Sequence, residues 1–450
     1  MKSATKSAKK TSATGRVGRR KGDGLVRVAF VVPHLYICDA LRGKVIFSPG
    51  ELARDLVGGL ARWGDGGVTR GDVEVTLWTP GAVKVFGADG ALVRNETADW
   101  SGLESELDAR GYGLLTFAAK HPALFVAMAR QLQAEIISEA YAAANRGEYD
   151  VVHIYTNEED LALQFANLCN KPVLFTHHDP YNFLIKYKSV FPRYKHHNFI
   201  STSIVQQETA PAGTNFVANI YHGVSENDYK PSFNRGRYLL YLGRIVAEKG
   251  VEIAVKAARK ANLPLKIMGK YYQDGYFGAE IEPFLGDDVE YVGFLQGEEK
   301  LELIRGAVAT VVPSRFMEPF GMVAIESLAL GTPVIASKNG ALPEIVGKRG
   351  GGSRGGGGSR KGGCPVECGY LIDVAREVDE KKDEKSIDAL ARVMGEVWRM
   401  DDRATDAKRR AARADFEERW TLEKMVDAHA ELYLRYARNC ARSDHSDTLD

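Results

Sequence analysis

Apolar residues in this chain cluster in short runs. Val26 to Val32 is one, and Val73 to Thr79, Val151 to Tyr155, Val173 to Thr176, Phe199 to Ser203 and Phe216 to Tyr221 follow. A run without polar alternation predicts a strand covered on both faces. Most are separated by helical or loop segments, a rhythm that predicts a parallel sheet with crossover helices. Leu114 to Asn145 is the longest helical stretch, with Pro122 marking a start or a kink. A polar connector, Ser225 to Gly236, then interrupts the pattern before it restarts with Tyr238 to Leu242, Leu265 to Met268, Val289 to Val292, Thr310 to Val312, Val334 to Ala336 and Tyr370 to Ile372. The reading is an α/β chain of two doubly wound domains, 25–224 and 237–418, facing across a cleft. Ligands in such folds bind beyond the carboxyl ends of the strands. Trp420 to Arg438 reads as a closing amphipathic helix, with Met425, Val426, His429, Leu432 and Tyr433 at helical spacing, and 439–450 as a tail.

Ser314 to Val346 concentrates the chemistry. Gly321 to Leu330 predicts a helix stopped by Gly331, with Pro333 just beyond. It is apolar on nearly every side, yet it carries Glu326, and the positions three and four residues away (Met322, Val323, Ala329, Leu330) offer no cation or donor. A buried carboxylate needs a partner, which must come from elsewhere. Eight residues earlier Glu318 precedes Pro319, a position pushed out of helical backbone into the loop that leads to the helix. Free amides around Gly321, Met322 and Val323 form an anion site, flanked by two acids able to accept from hydroxyls. The plainer alternative is that Glu326 pairs with a core Arg or Lys and Glu318 is a solvated loop acid.

E-P-F-G-M-V-A-I-E, from Glu318 to Glu326, resembles the paired-glutamate signature of retaining glycosyltransferases of family 4 (group 1 glycosyltransferases), which have the GT-B fold of two Rossmann-like domains. The resemblance implies a hexosyltransferase using a nucleotide diphosphate sugar, with a UDP-sugar favoured over GDP-mannose, and a hydroxyl acceptor. It assigns Glu318 to the transferred sugar and Glu326 to the ribose. It also makes the first domain the acceptor side, the second the donor side, and the closing helix, 419–438, a return to the first domain.

Further elements carry the same likeness. Leu242-Gly243-Arg244 ends a strand and Glu248-Lys249-Gly250 opens the next helix, so Arg244 and Lys249 are candidates to neutralise a diphosphate. Phe294 lies in a segment resembling the one beside the nucleotide base, though it also suits a core. Thr176-His177-His178-Asp179 follows a strand, and by the family pattern His178 borders the donor sugar while His177 fills a variable place; a neutral imidazole there can orient a hydroxyl. The departure comes after the first strand. Where the family has a short Gly-Gly loop and a Glu, His34 to Ser48 intervenes before Gly50 and Glu51, the nearest equivalents for phosphate or acceptor contact. Ser201 to Ser203 and Tyr221 to Val224 resemble family elements that read as structural. Lys186 to His197 interleaves basic residues with Tyr187, Phe191 and Tyr194; a solvated loop is the plain reading, and a peripheral membrane contact or anionic acceptor the sharper one.

Composition narrows the class. The chain has 450 residues, 44% hydrophobic, enough for two cores. Its net charge of +1 hides an uneven distribution, because eight Lys or Arg lie in the first twenty-two residues and five in Gly347 to Gly363. Setting these thirteen aside from +1 leaves the body at −12, which argues against a nucleic-acid platform. Met1 to Gly24 reads as a disordered basic extension, and Gly347 to Gly363 as a flexible low-complexity insertion. Five cysteines, Cys38, Cys169, Cys364, Cys368 and Cys440, form no disulfide framework or zinc spacing and suggest reduced thiols in a cytoplasmic protein. No acidic pair suggests a metal, and the resemblance implies no cofactor and no required metal. Two other classes compete. A dinucleotide oxidoreductase lacks its Gly-x-Gly-x-x-Gly after Val32 and after Leu242. A silent sugar-nucleotide binding protein need not keep His178 and Glu318, and among enzymes an epimerase of the same two-domain shape is the nearest rival.

Overall fold

The computed structural model describes residues 24–61, 73–87, 90–100, 105–107, 109–156, 159–273, 275–347 and 368–446, with side chains to 438. The basic extension before Gly24, the insertion beyond Gly347, Cys364 and the last four residues lie outside them.

The first sheet contains β1 (Val26–Val31), β2 (Val73–Thr79), β3 (Asn95–Thr97), β4 (Val151–Thr156), β5 (Val173–His177), β6 (Asn198–Ser201) and β7 (Phe216–Asn219), in spatial order β3-β2-β1-β4-β5-β6-β7. All the pairings are parallel. The second contains β8 (Tyr238–Leu242), β9 (Leu265–Met268), β10 (Val289–Gly293), β11 (Ala307–Val312), β12 (Val334–Ser337) and β13 (Gly369–Ile372), again parallel, in order β10-β9-β8-β11-β12-β13. Each order reverses once, beside β1 and beside β8, and so creates a crevice at the carboxyl ends of the neighbouring strands. Every residue of β4 is buried, His153 included, as a central strand covered on both faces requires.

The long helical stretch is two helices, Leu114–Lys120 and Pro122–Asn145, because Pro122 starts the second at a position where its missing N–H costs nothing. Residues 187–194 differ from the solvated loop expected. They form a helix whose Tyr187 and Phe191 are buried. The closing helix runs Leu422–Ser446, and Trp420 is buried just before it against Tyr221 and Phe320. Met425, Val426, Leu432 and Tyr433 enter the core of the first domain. There Tyr433 Oη lies 2.7 Å from His153 Nδ1 on β4, while His153 Nε2 lies 2.8 Å from Thr176 Oγ1 on β5.

Between the sheets, the connector is strapped to the second domain by two buried arginines. Arg409 donates to the carbonyls of Ser232, Arg305 and Ala307, and Arg413 to those of Tyr229 and Ala329. Among the described residues no helix is long and apolar enough to cross a membrane.

Candidate active site

β8 and β11 are neighbours where the second sheet reverses its order, and both feed the crevice. From β8 the chain passes Arg244 into a single 3-10 turn, Ala247–Lys249, closed by Gly250 at φ 67°. A side chain on Gly250 would run into the carbonyl of Pro313, so glycine alone lets this turn lie against the exit of β11. The approach delivers Lys249 to Glu318. Its Nζ stands 2.5 Å from Glu318 Oε1, which also accepts the Ser314 hydroxyl at 2.8 Å, and 4.8 Å from the Phe316 ring centroid. The Arg244 guanidinium pairs with Glu248 at 2.9 Å and stays 41% exposed, within reach of an anion entering the crevice.

The helix Met322–Ala329 starts at Gly321, whose φ of 122° is a conformation L side chains rarely adopt. Its first backbone bond is Ala324 N–H to the Gly321 carbonyl, so the Met322 and Val323 amides precede it at the positive end of the helix. Glu326 is buried, and its Oε1 accepts both the Lys300 ammonium at 2.6 Å and the Tyr229 hydroxyl at 3.1 Å. The carboxylate that lacked a neighbour on its own helix therefore finds a cation on the helix Gly297–Arg305 and a donor in the connector. Phe294 packs among partly buried apolar residues under the Lys270 ammonium, 4.5 Å from its ring centroid.

In the first domain, β5 ends at His177 and places His178 beyond it. His177 lies in the core: it is fully buried, with Tyr181, Tyr187 and Phe191 centroids 4.8, 4.9 and 5.0 Å away. Its Nδ1 is 2.6 Å from Glu159 Oε1, close in distance but off the line of a hydrogen bond. His178 stacks on His222 at 5.2 Å, and His222 meets the Phe320 edge at 4.9 Å, one residue before Gly321. The first domain thus reaches the loop that opens the signature helix through His222, with His178 stacked behind it. Burial, reinforced by His222 and His177, holds the His178 pKa well below the ordinary imidazole value, so the ring is neutral. Its Nε2 is buried without a hydrogen-bond partner among the described residues.

Gly50 and Glu51 sit inside the helix Ser48–Ala61 rather than in a phosphate loop. Both amides are spent on the Phe47 carbonyl, at 3.0 and 3.4 Å, and the Glu51 carboxylate faces Arg42 at 3.1 Å and Arg54 at 3.9 Å.

Across the cleft the domains are joined by directed bonds. Ser203 Oγ donates to the Pro319 carbonyl at 2.6 Å. Glu344 accepts the amides of Ile204 at 3.0 Å and Val205 at 2.8 Å and the Tyr221 hydroxyl at 2.7 Å. Phe183 meets Phe316 edge to face at 5.1 Å. Sequence reasoning missed Lys300, Tyr229 and His222 as members of this region, and gave no role to Ser314 and Glu344 within the stretch it marked out. Lys300 reads as one charge in a solvated helix face and Tyr229 as part of a polar connector. Only His222 had a signal, in the Tyr221-His222-Gly223-Val224 element.

Two Rossmann-like domains with facing crevices define the class: this is a GT-B fold. A sucrose-phosphate synthase from Thermosynechococcus elongatus shares it with a TM-score of 0.62 at 19% identity, over 91% of this chain and 98% of that one. The Anabaena protein HepE, in complex with UDP-glucose, shares it with a TM-score of 0.55 at 14% identity, over 90% and 98%. The model of the family described as glycosyl transferases group 1 matches residues 226–354, the segment that holds Arg244, Lys249, Glu318 and Glu326. An uncharacterized glycosyltransferase of Methanocaldococcus jannaschii is 36% identical over 133 residues, 28% of this chain and 36% of that protein. The chain spans about a third of the length of the curated relatives it matches.

Proposed function

We propose that this chain is a retaining glycosyltransferase of family 4, which moves a hexose from a nucleotide diphosphate sugar to a hydroxyl acceptor. The observation that carries the reading is the convergence at one helix start: the Lys249–Glu318 pair, the amides after Gly321, and the stacked His178–His222 pair of the facing domain, whose His222 meets Phe320. The group 1 family of the second domain supports glycosyl transfer. HepE, whose structure holds UDP-glucose, supports a UDP-sugar ahead of GDP-mannose.

In this reading the diphosphate lies between Arg244, Lys249 and the Met322 and Val323 amides, Glu326 accepts from the ribose, and Phe294 borders the base. Negative charge on the leaving diphosphate is met by a guanidinium fork, a point charge and aligned peptide dipoles, so the chemistry calls on no metal. As the sugar becomes cationic, Glu318 stabilises it. The Lys249–Glu318 pair gives that carboxylate a fixed position, and the Ser314 hydroxyl fixes its direction. His178, neutral and with an unspent nitrogen, orients a sugar hydroxyl. The acceptor enters from the first domain.

A thermal-shift panel of UDP, GDP and ADP tests the donor site. At least one is expected to stabilise the protein, with the shift reduced in Glu326→Ala and Arg244→Ala; equal shifts in all three proteins would remove the site. Glu318→Ala is expected to keep nucleotide binding and lose donor hydrolysis or transfer, and unchanged turnover would remove Glu318 from its role.

A further inference from the structure

Both bonds to Glu326 land on the same atom. Lys300 Nζ and Tyr229 Oη reach Oε1 from different elements, and among the described residues Oε2 accepts nothing. A lone carboxylate on an apolar helix would rotate about its last torsion and offer either oxygen in any direction. Here a cation and a phenol hold one oxygen, which turns the second outward. Burial and the adjacent Glu326 charge raise the pKa of Tyr229, so its hydroxyl stays protonated and can only donate to this carboxylate. The phenol is itself held in place, because its backbone carbonyl accepts Arg413 at 2.8 Å and its ring packs between two core clusters.

We infer that Lys300 and Tyr229 are positioning residues that present Glu326 as a one-oxygen acceptor for the ribose hydroxyls of the donor nucleotide. The inference rests on the donor-site reading above and adds what makes that carboxylate selective. Oε2 serves the ligand, and the pair on Oε1 prevents the acid from swinging away or sharing both oxygens with solvent. Since Tyr229 lies in the connector between the domains, the ribose contact is also tied to the segment about which they would move.

Isothermal titration tests this with whichever of UDP, GDP and ADP binds the intact chain most tightly, together with its 2′-deoxy and 3′-deoxy counterparts. Tyr229→Phe, which keeps the ring, is expected to weaken ribonucleotide binding about 10-fold, as Glu326 loses one of the two bonds that hold it. Lys300→Met is expected to cost about 10- to 30-fold, with partial rescue in Lys300→Arg. In both variants binding of the deoxy nucleotide changes little, so the ratio of ribo to deoxy affinity falls toward one, which a general loss of folding would not produce. If Glu326→Ala loses that ratio while Tyr229→Phe and Lys300→Met keep it, the inference is wrong and the donor site stands. If Glu326→Ala keeps it, or if none of the three nucleotides binds, the ribose reading fails, and the inference with it.

Discussion

Replacing Glu344 with glutamine isolates the clasp between the domains. Its Oε2 accepts the Ile204 amide and the Tyr221 hydroxyl, and its Oε1 accepts the Val205 amide. Glutamine keeps the shape but offers one acceptor oxygen. Its NH₂ must face either Val205 or the Ile204–Tyr221 pair, so at least one bond becomes a donor–donor contact and the others lose the ionic charge. With bonds to an ion at about 1.5–3 kcal/mol each, the joined arrangement should lose about 2–3 kcal/mol, or about 30- to 150-fold in its population relative to a separated one. Hydrogen exchange at Ile204 and Val205 reads this directly and should accelerate by a comparable factor. Small-angle scattering should show a larger radius of gyration as the domains part. Tyr221→Phe removes one bond of three and, at the low end of that range, should show about a 10-fold effect. Wild-type exchange at both amides in Glu344→Gln would refute the reasoning, since it would mean that these bonds do not hold the domains together.

Two further expectations concern stability. Burial pushes His222 down to about 3 and His429 down to about 4, so the unfolded chain binds protons more readily than the fold, and stability falls as pH drops below about 6.5. At pH 5 each contributes a loss of about 2 kcal/mol, to be read as a lower urea midpoint than at pH 7.5; His429→Gln should flatten the slope, and an unchanged slope would show that His429 is not the titrating group. Arg409 is fully buried, and its guanidinium serves three carbonyls and the Thr332 hydroxyl. Arg409→Met leaves those acceptors without partners and should destabilise the protein by about 3–5 kcal/mol in calorimetry; a loss below about 1 kcal/mol would show that water replaces the guanidinium.

Most strands were legible because they are short, largely apolar runs; β2, β8 and β9 occupy the ranges that their runs mark out. β3 was not, since Asn95, Glu96 and Thr97 are polar and exist as a strand only by pairing with β2 at the sheet edge. The helix of residues 187–194 was hidden in the same way. Its basic positions look solvated, and nothing local says that Tyr187 and Phe191 turn inward onto His177. At the candidate site, sequence marks which residues carry charge but not which charges meet. Lys249 and Glu318 are separated by 69 positions, and Tyr229 and Glu326 by 97. Only a strand order that reverses beside β8 brings the first pair together. His177 and His178 are adjacent and chemically identical, and alternation across the end of β5 sends one into an aromatic shell and the other toward His222.

The return of the closing helix to the first domain governs how the chain can be made and recombined. His153 on β4 waits 280 residues for Tyr433. During synthesis the first domain therefore emerges with an open flank over β4, and it stays incomplete until the second domain has been translated. The same crossing sets the rule for building chimeras. A donor half taken from a relative must be cut in twice, once in the connector after Val224 and again before Trp420, where Val224 and Thr421 pair side by side. A single junction would import a foreign helix into a core shaped for Met425, Val426 and Tyr433.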